Sequence, residues 1–258
     1  MGQREGWSLF QRVSQTALII GLGVVLAACE SDSMATINQA LGYEPRNKLV
    51  LVFIDVSASM RSDFAVQRES WKKIKAALRG GDRIVLAPIT DKTFTQFRPA
   101  LDEEIPAFNL LTDNKLRYER QLTKVRKALD DRFEKLLKSD AAPKTNILHV
   151  FTIAEKIFQG ETKRHRVLVL ISDMLEDSAR YNFQRTKLTP DFTNKLIKQQ
   201  QEKGELPNLA GAVVYVAGAS AVTPEKVFEV QRFWLTYASA ISASLKSENY
   251  APTLLRFE

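Results

Sequence analysis

Of the 258 residues only one is cysteine, Cys29, and only two are histidine, His149 and His165. A lone cysteine cannot close a disulfide within the chain, and a cysteine-histidine zinc site lacks its ligands. His149 falls in a helical stretch and His165 just before an apolar strand, so nothing sets either beside a serine as a general base, and both read as packing or surface residues. Glycine is also scarce where it would matter: none lies between Asp55 and Gly80. The loop after the first strand therefore cannot be a GxGxxG or GxxxxGK[ST] phosphate cradle, and no G-x-S-x-G elbow is present. Long apolar runs are missing too. Ala17 to Ala28 is uncharged and apolar but has only 12 residues, short of the roughly 20 that a spanning helix needs.

That run fits the apolar core of a signal segment, with Arg4 and Arg12 before it and Ala27 and Ala28 after it. "LAAC" (Leu26 to Cys29) resembles a bacterial lipobox, which implies cleavage before Cys29 and lipid attachment to it. The expectation is residues 1–28 as a lipoprotein signal peptide, 29–47 as a polar tether and 48–258 as one domain. Glu30, rather than Asp, follows the lipid-bearing position. By the lipoprotein sorting pattern this favours the periplasmic side of an outer membrane where the organism has one, and otherwise the cell envelope generally. The whole chain carries a net +7; removing Arg4, Arg12 and Glu5 with the signal leaves +6. Charge this diffuse does not argue for nucleic acid, but it suits anionic lipid or an acidic partner.

From Lys48 onward, apolar runs alternate with amphipathic segments. "LVLVFID" (Leu49 to Asp55), "DRIVLAPIT" from Asp82, "RVLVLISD" (Arg166 to Asp173) and "AVVYVAGA" (Ala212 to Ala219) read as buried strands. "TFTQFRP" is expected as an antiparallel neighbour of the second strand, and "PTLLRF" at the end as a last edge strand. Phe64, Trp71, Ile74 and Leu78 share a helix face closed by Gly80 and Gly81. Thr223 and Pro224 fit the N-cap and first turn of another helix. Such alternation predicts an α/β fold: a Rossmann-like, open, mostly parallel sheet with helices on both faces and one antiparallel edge strand.

In such a sheet ligands bind outside the carboxyl ends of the strands, near the switch in strand order. Asp55 and Asp173 each stand where a buried strand ends, so one edge should carry both acids. Asp55 is followed by Ser57 and Ser59 at alternate positions. An aspartate nucleophile for phosphoryl transfer, as in haloacid-dehalogenase-like enzymes, has a second acid two residues on; here that position is Ser57. A magnesium-dependent phosphohydrolase using Asp55 is thus the enzymatic alternative, and a structural lipoprotein with a non-essential metal site is another. Acids and neutral hydroxyls together better suit a hard cation held by oxygen.

"DVSAS" (Asp55 to Ser59) resembles the D-x-S-x-S signature of the von Willebrand factor type A domain. "KTNIL" (Lys144 to Leu148) resembles that family's second metal loop and "LISDM" (Leu170 to Met174) its third. The resemblance implies a metal-ion-dependent adhesion site of Asp55, Ser57, Ser59, Thr145 and Asp173 binding Mg2+ or Mn2+. It also implies a protein partner whose Asp or Glu completes the metal shell, with no catalytic residue and no small-molecule substrate. Two features depart from the family. Met174 follows Asp173 where glycine is common, and the gap from Asp55 to Thr145 is long, its excess falling in a helical insertion at about 109–140.

Within that insertion Tyr118, Leu122, Val125, Leu129, Phe133 and Leu136 recur at helical spacing. Lys115 to Lys138 carries nine basic and four acidic residues, which fits either a solvated face or a docking surface for lipid or an acidic partner. The long segment after Asp173 offers Arg180, Tyr181, Phe183 and Arg185 as partner contacts, or is a structural excursion before the helix near Pro190.

Overall fold

The computed structural model describes residues 47–109 and 111–257. The expected signal peptide, Cys29 and nearly all of the expected tether lie outside the described residues. Asn47 to the C-terminus is one compact unit.

Six strands form one sheet: β1 (Lys48–Asp55), β2 (Arg83–Ile89), β3 (Leu101–Glu104), β4 (His165–Ile171), β5 (Ala212–Ala217) and β6 (Tyr250–Ala251). Their spatial order is β3-β2-β1-β4-β5-β6, and only β3 runs antiparallel. The helices are α1 (Phe64–Ala77), α2 (Lys115–Leu137), α3 (Leu148–Gln159), α4 (Pro190–Glu202) and α5 (Pro224–Ala240). None of the described helices is long and apolar enough to cross a membrane.

The central strands are apolar at consecutive positions because both faces are covered. Leu49, Leu51 and Phe53 of β1 join a core with α3, α4 and α5, whereas Val50, Val52 and Ile54 join another with α1 and α2. Both cores are built from residues of this unit, so residues 47–258 hold what they need to fold alone. On the second face Trp71 of α1 stacks on Phe133 of α2, with ring centroids 4.8 Å apart. Arg68–Glu134 and Lys75–Asp130 ion pairs flank that stack. α2 is therefore docked mainly by its C-terminal half, where Leu129, Phe133 and Leu137 are buried, with Leu122 and Val125 partly buried against the same core. Thr189 and Thr223 cap α4 and α5 through their side-chain oxygens, each with proline next.

Two edge strands differ from expectation. "TFTQFRP" forms turns, and the antiparallel edge is β3, with Leu101 opposite Leu86. Thr93 is the reason: its hydroxyl accepts from Thr90 N–H and donates to the Thr90 carbonyl, closing a turn where a strand would need both groups for the ladder. "PTLLRF" is not a strand either. Pro252 ends β6 after two residues, since proline has no N–H for a further rung, and its carbonyl instead accepts from Gly218 N–H. Leu254 then buries under α1, its backbone held by Ser70 and Lys73.

Candidate metal centre

The order of the strands places a switch between β1 and β4, which lead to opposite halves of the sheet, so the crevice beyond their carboxyl ends is the favoured ligand position. Ile54 pairs with Ile171, so Asp55 and Ser172 leave the sheet side by side, with Asp173 next. The third contribution, Thr145, comes from the turn that precedes α3.

After Asp55 the strand breaks. Met60 N–H bonds to the Ser57 carbonyl and Arg61 N–H to that of Ala58, beginning a 3-10 turn at Ser59. That turn brings the alternate residues Ser57 and Ser59 to one side: their Oγ atoms are 3.0 Å apart. Ser59 Oγ donates to Asp173 Oδ2 at 2.7 Å. Asp55 Oδ1 accepts from Ser57 N–H at 2.9 Å and from Thr145 Oγ1 at 3.4 Å. All five sequence-chosen donors are thus linked through one chain of hydrogen bonds. Asp55, Ser57, Thr145 and Asp173 are buried, while Ser59 is exposed and forms the open lip.

Burial raises the Asp55 carboxyl above its usual range, against the pull of hydrogen bonds from Ser57, Ser172 and Thr145. Those donors are all neutral. Two carboxylates and three hydroxyls at a protein edge are the oxygen-only donor set that a hard divalent cation takes, so the residues present fit magnesium or manganese. Among the described residues no group of three or more Asp, Glu, His or Cys side chains is placed to hold a metal ion, so a cation here would rest on two carboxylates and neutral hydroxyls.

Met174 explains how the third loop manages without glycine. It takes a left-handed φ of 66°, a conformation that costs a non-glycine residue roughly 1–2 kcal/mol. Its side chain is fully buried in the core beneath the sheet edge. Ser172 Oγ accepts its N–H at 3.0 Å, and Trp234 Nε1–H donates to its carbonyl at 2.8 Å. Packing and two hydrogen bonds offset the strain. Gly218, at φ 95°, closes the edge beside it: a Cβ there would come within 3.0 Å of Met60 and 3.2 Å of the Ser172 carbonyl.

Two residues of this site carried no recognised signal in the sequence. Ser172 donates to Asp55 Oδ2 at 2.7 Å and holds the orientation of that carboxylate. Glu176 Oε2 accepts from Ile147 and Leu148 N–H at 2.6 and 3.0 Å. It thereby caps α3 from another loop and ties that helix start to the segment after Asp173. The same two segments also pair through backbone bonds between Thr145 and Asp177. Burial pushes the Glu176 carboxyl up to about 7. In the unfolded chain it titrates near 4.5, so in the window between them the unfolded state binds fewer protons and stability falls as pH rises. The full difference is about 3 kcal/mol. Glu176→Gln removes this titration. In EDTA, chemical denaturation between pH 4.5 and 8 should show the variant gaining on the unmodified protein by about that amount; parallel profiles would contradict it.

The histidines lie away from this chemistry. His149 stacks on Phe94 at 4.8 Å, and His165 begins β4, at the opposite end of the strand from Asp173. Of the proposed partner contacts, Phe183 is corrected. It is 0% exposed and packs edge-on against Phe233 at 4.5 Å. The Asp177–Asn182 bridge folds the segment back on itself and delivers Phe183 to the core. Arg180 is exposed and ion-paired with Glu205 at 3.2 Å, Tyr181 is half-buried, and Arg185 is exposed. A cavity of about 380 Å³ lies beside this segment, lined by Phe94, His149, Arg180, Tyr181 and Glu205 among others, and none of the five donors lines it.

No family model and no curated protein matches the chain. Among solved structures it is similar to a von Willebrand factor type A protein from Catenulispora acidiphila, at 15% identity over 76% of this chain and 43% of that one, with a TM-score of 0.40. It is similar to the pilus adhesin SpaC from Lactobacillus rhamnosus GG in its open conformation, at 10% identity over 81% and 28%, with a TM-score of 0.46. It is also similar to BatB, a conserved hypothetical protein from Bacteroides thetaiotaomicron, at 11% identity over 67% and 66%, with a TM-score of 0.35. The chain spans less than half the length of the first two.

Proposed function

We propose that this chain is a von Willebrand factor A-type binding module, lipid-anchored through Cys29 in a bacterial cell envelope, that recruits a protein partner through a divalent metal ion. The observation that carries this is the meeting of Asp55, Ser57, Ser59, Thr145 and Asp173 from three separate loops at the strand-order switch. Magnesium or manganese bound there would supply a Lewis-acidic position for a carboxylate brought by the partner. The chain's own residues do the rest. Ser172 and the Ser57 N–H orient Asp55, the Leu175 N–H orients Asp173 at 2.9 Å, and exposed Ser59 leaves the approach open.

A phosphohydrolase is less well supported. A nucleophilic aspartate must reach its substrate, and Asp55 is 1% exposed. The position two residues on offers Ser57, engaged with Ser59, in place of an acid. On the lipoprotein reading, Glu30 at the residue after Cys29 favours an outer membrane, facing the periplasm. Calorimetric titration of Mg2+ and Mn2+ into residues 47–258 tests the metal claim. Saturable binding of one ion per chain is expected, and no detectable binding of either ion would overturn it.

A further inference from the structure

Helix α2 is fully packed only toward its end; nearer its start Leu122 and Val125 are partly buried against the same core, and the first turn is open. Leu129, Phe133 and Leu137 are buried near its end, whereas every residue from Leu111 to Arg117 is exposed. At 100° per residue, Arg117, Arg120, Lys124 and Lys135 fall in one stripe opposite the packed face, along about 27 Å of helix. The acids of α2 are already engaged: Asp130 with Lys75, Glu134 with Arg68, Asp131 with Lys127 and Glu119 with Lys115. Among the described residues no ion pair engages the four cations of the stripe. Apolar side chains stand beside them: Leu116, on the border of the stripe, is 57% exposed, and Leu111, just before the helix, 92%.

Position adds a second argument. β3 runs against its one neighbour, β2, and ends with Glu104 opposite Arg83, the first residue of β2. The chain therefore leaves the sheet at the edge where the parallel strands begin: Ala107 lies against Gly80, just before β2, and Phe108 meets Tyr118 in the first turn of α2 with ring centroids 5.0 Å apart. It returns toward the donor edge, where Arg61 reaches the Ser139 carbonyl and Ala142 N–H bonds to Val56. The exposed basic start of α2 thus shares an edge with Lys48 and with Asn47. The metal donors occupy the other edge.

We infer that the stripe of Arg117, Arg120 and Lys124, with Leu111 and Leu116, is a docking surface for an anionic lipid bilayer. Cations meet the lipid phosphates, the leucines enter the headgroup layer, and the metal edge faces away from the membrane toward the partner. The lipid-anchored reading is what puts a membrane within reach, but the surface can be tested without it.

Residues 47–258, which lack Cys29, are mixed with vesicles of phosphatidylglycerol and phosphatidylethanolamine, and separately with neutral phosphatidylcholine, and then sedimented. Binding to the anionic vesicles alone is expected, weakened by salt. Each basic residue at such a surface contributes about fivefold in partition, so Arg117→Gln, Arg120→Gln and Lys124→Gln together should weaken binding about a hundredfold. A control with Lys187→Gln, Lys195→Gln and Lys198→Gln removes the same charge from an exposed region elsewhere and should bind as the unmodified domain does. Equal loss in both triple variants, equal binding to neutral vesicles, or no binding to anionic ones would each overturn the proposal. So would a stripe variant that binds vesicles normally but loses a crosslinked protein, which would assign the stripe to an acidic partner. Failure of lipid attachment, read by palmitate labelling of the full chain, would leave this result standing.

Discussion

Asp55→Asn should abolish the stabilisation that magnesium confers on the domain. A ligand at 100 times its dissociation constant stabilises a fold by about 2.7 kcal/mol. For a domain of this size that corresponds to roughly 5–10 °C in thermal midpoint. The asparagine keeps the size and shape of the carboxylate, and its single oxygen can still accept from the Ser57 N–H while its NH2 turns to the Ser172 hydroxyl as a donor, so the loss reports charge and metal coordination with the packed volume unchanged. In EDTA the sign reverses. Burial raises the Asp55 carboxyl, so as the pH rises past the ordinary carboxylate range the metal-free fold loses stability relative to the unfolded chain. The variant should then be at least as stable as the unmodified protein. A variant that still gains several degrees from magnesium would show that the ion binds elsewhere.

Trp234→Ala should be the most damaging single core substitution near the site, costing about 3–5 kcal/mol. Trp234 is fully buried and its ring meets Phe151, Phe183, Phe233 and Tyr237 at centroid distances of 5.6, 5.7, 5.0 and 5.8 Å. Its Nε1–H also holds the carbonyl of Met174, the residue strained into the left-handed region beside Asp173. Trp234→Phe separates the two roles. It retains most of the ring volume and leaves that buried carbonyl without its donor, a loss of about 1–3 kcal/mol. Because the strained residue adjoins a metal donor, the phenylalanine variant should also bind magnesium more weakly than stability-matched variants far from this edge. Denaturant unfolding gives the first quantity and calorimetry the second. Unchanged affinity would mean that the loop holds its shape without Trp234.

These two residues also mark how far the sequence could be read. Asp55, Ser57 and Ser59 are legible because they fall within five consecutive residues at the end of an apolar run, a local pattern with local meaning. Asp173 is legible as the acid that ends another buried run, whereas Thr145 is legible only through the resemblance, since nothing near it in the chain says which strand end it would meet. Ser172 escaped notice because its role depends on β4 lying beside β1 in a register that pairs Ile54 with Ile171. Glu176 is hidden for the same reason, as it caps a helix that begins 28 residues earlier. Phe183 was misplaced because a polar-looking segment gives no sign that a bridge folds it inward. The edge strands were misjudged where side-chain chemistry overrode an apolar pattern, through the Thr90–Thr93 turn and Pro252. The central sheet, by contrast, is written in long apolar runs that allow little else.

The recruiting role is tested most directly by crosslinking in the native envelope, with the full unmodified chain and its Asp55→Asn variant each treated in magnesium and in EDTA. A protein captured by the unmodified chain in magnesium, and lost both in EDTA and in the variant, is the expected result. Capture of the same proteins to the same extent under all four conditions would contradict metal-dependent recruitment.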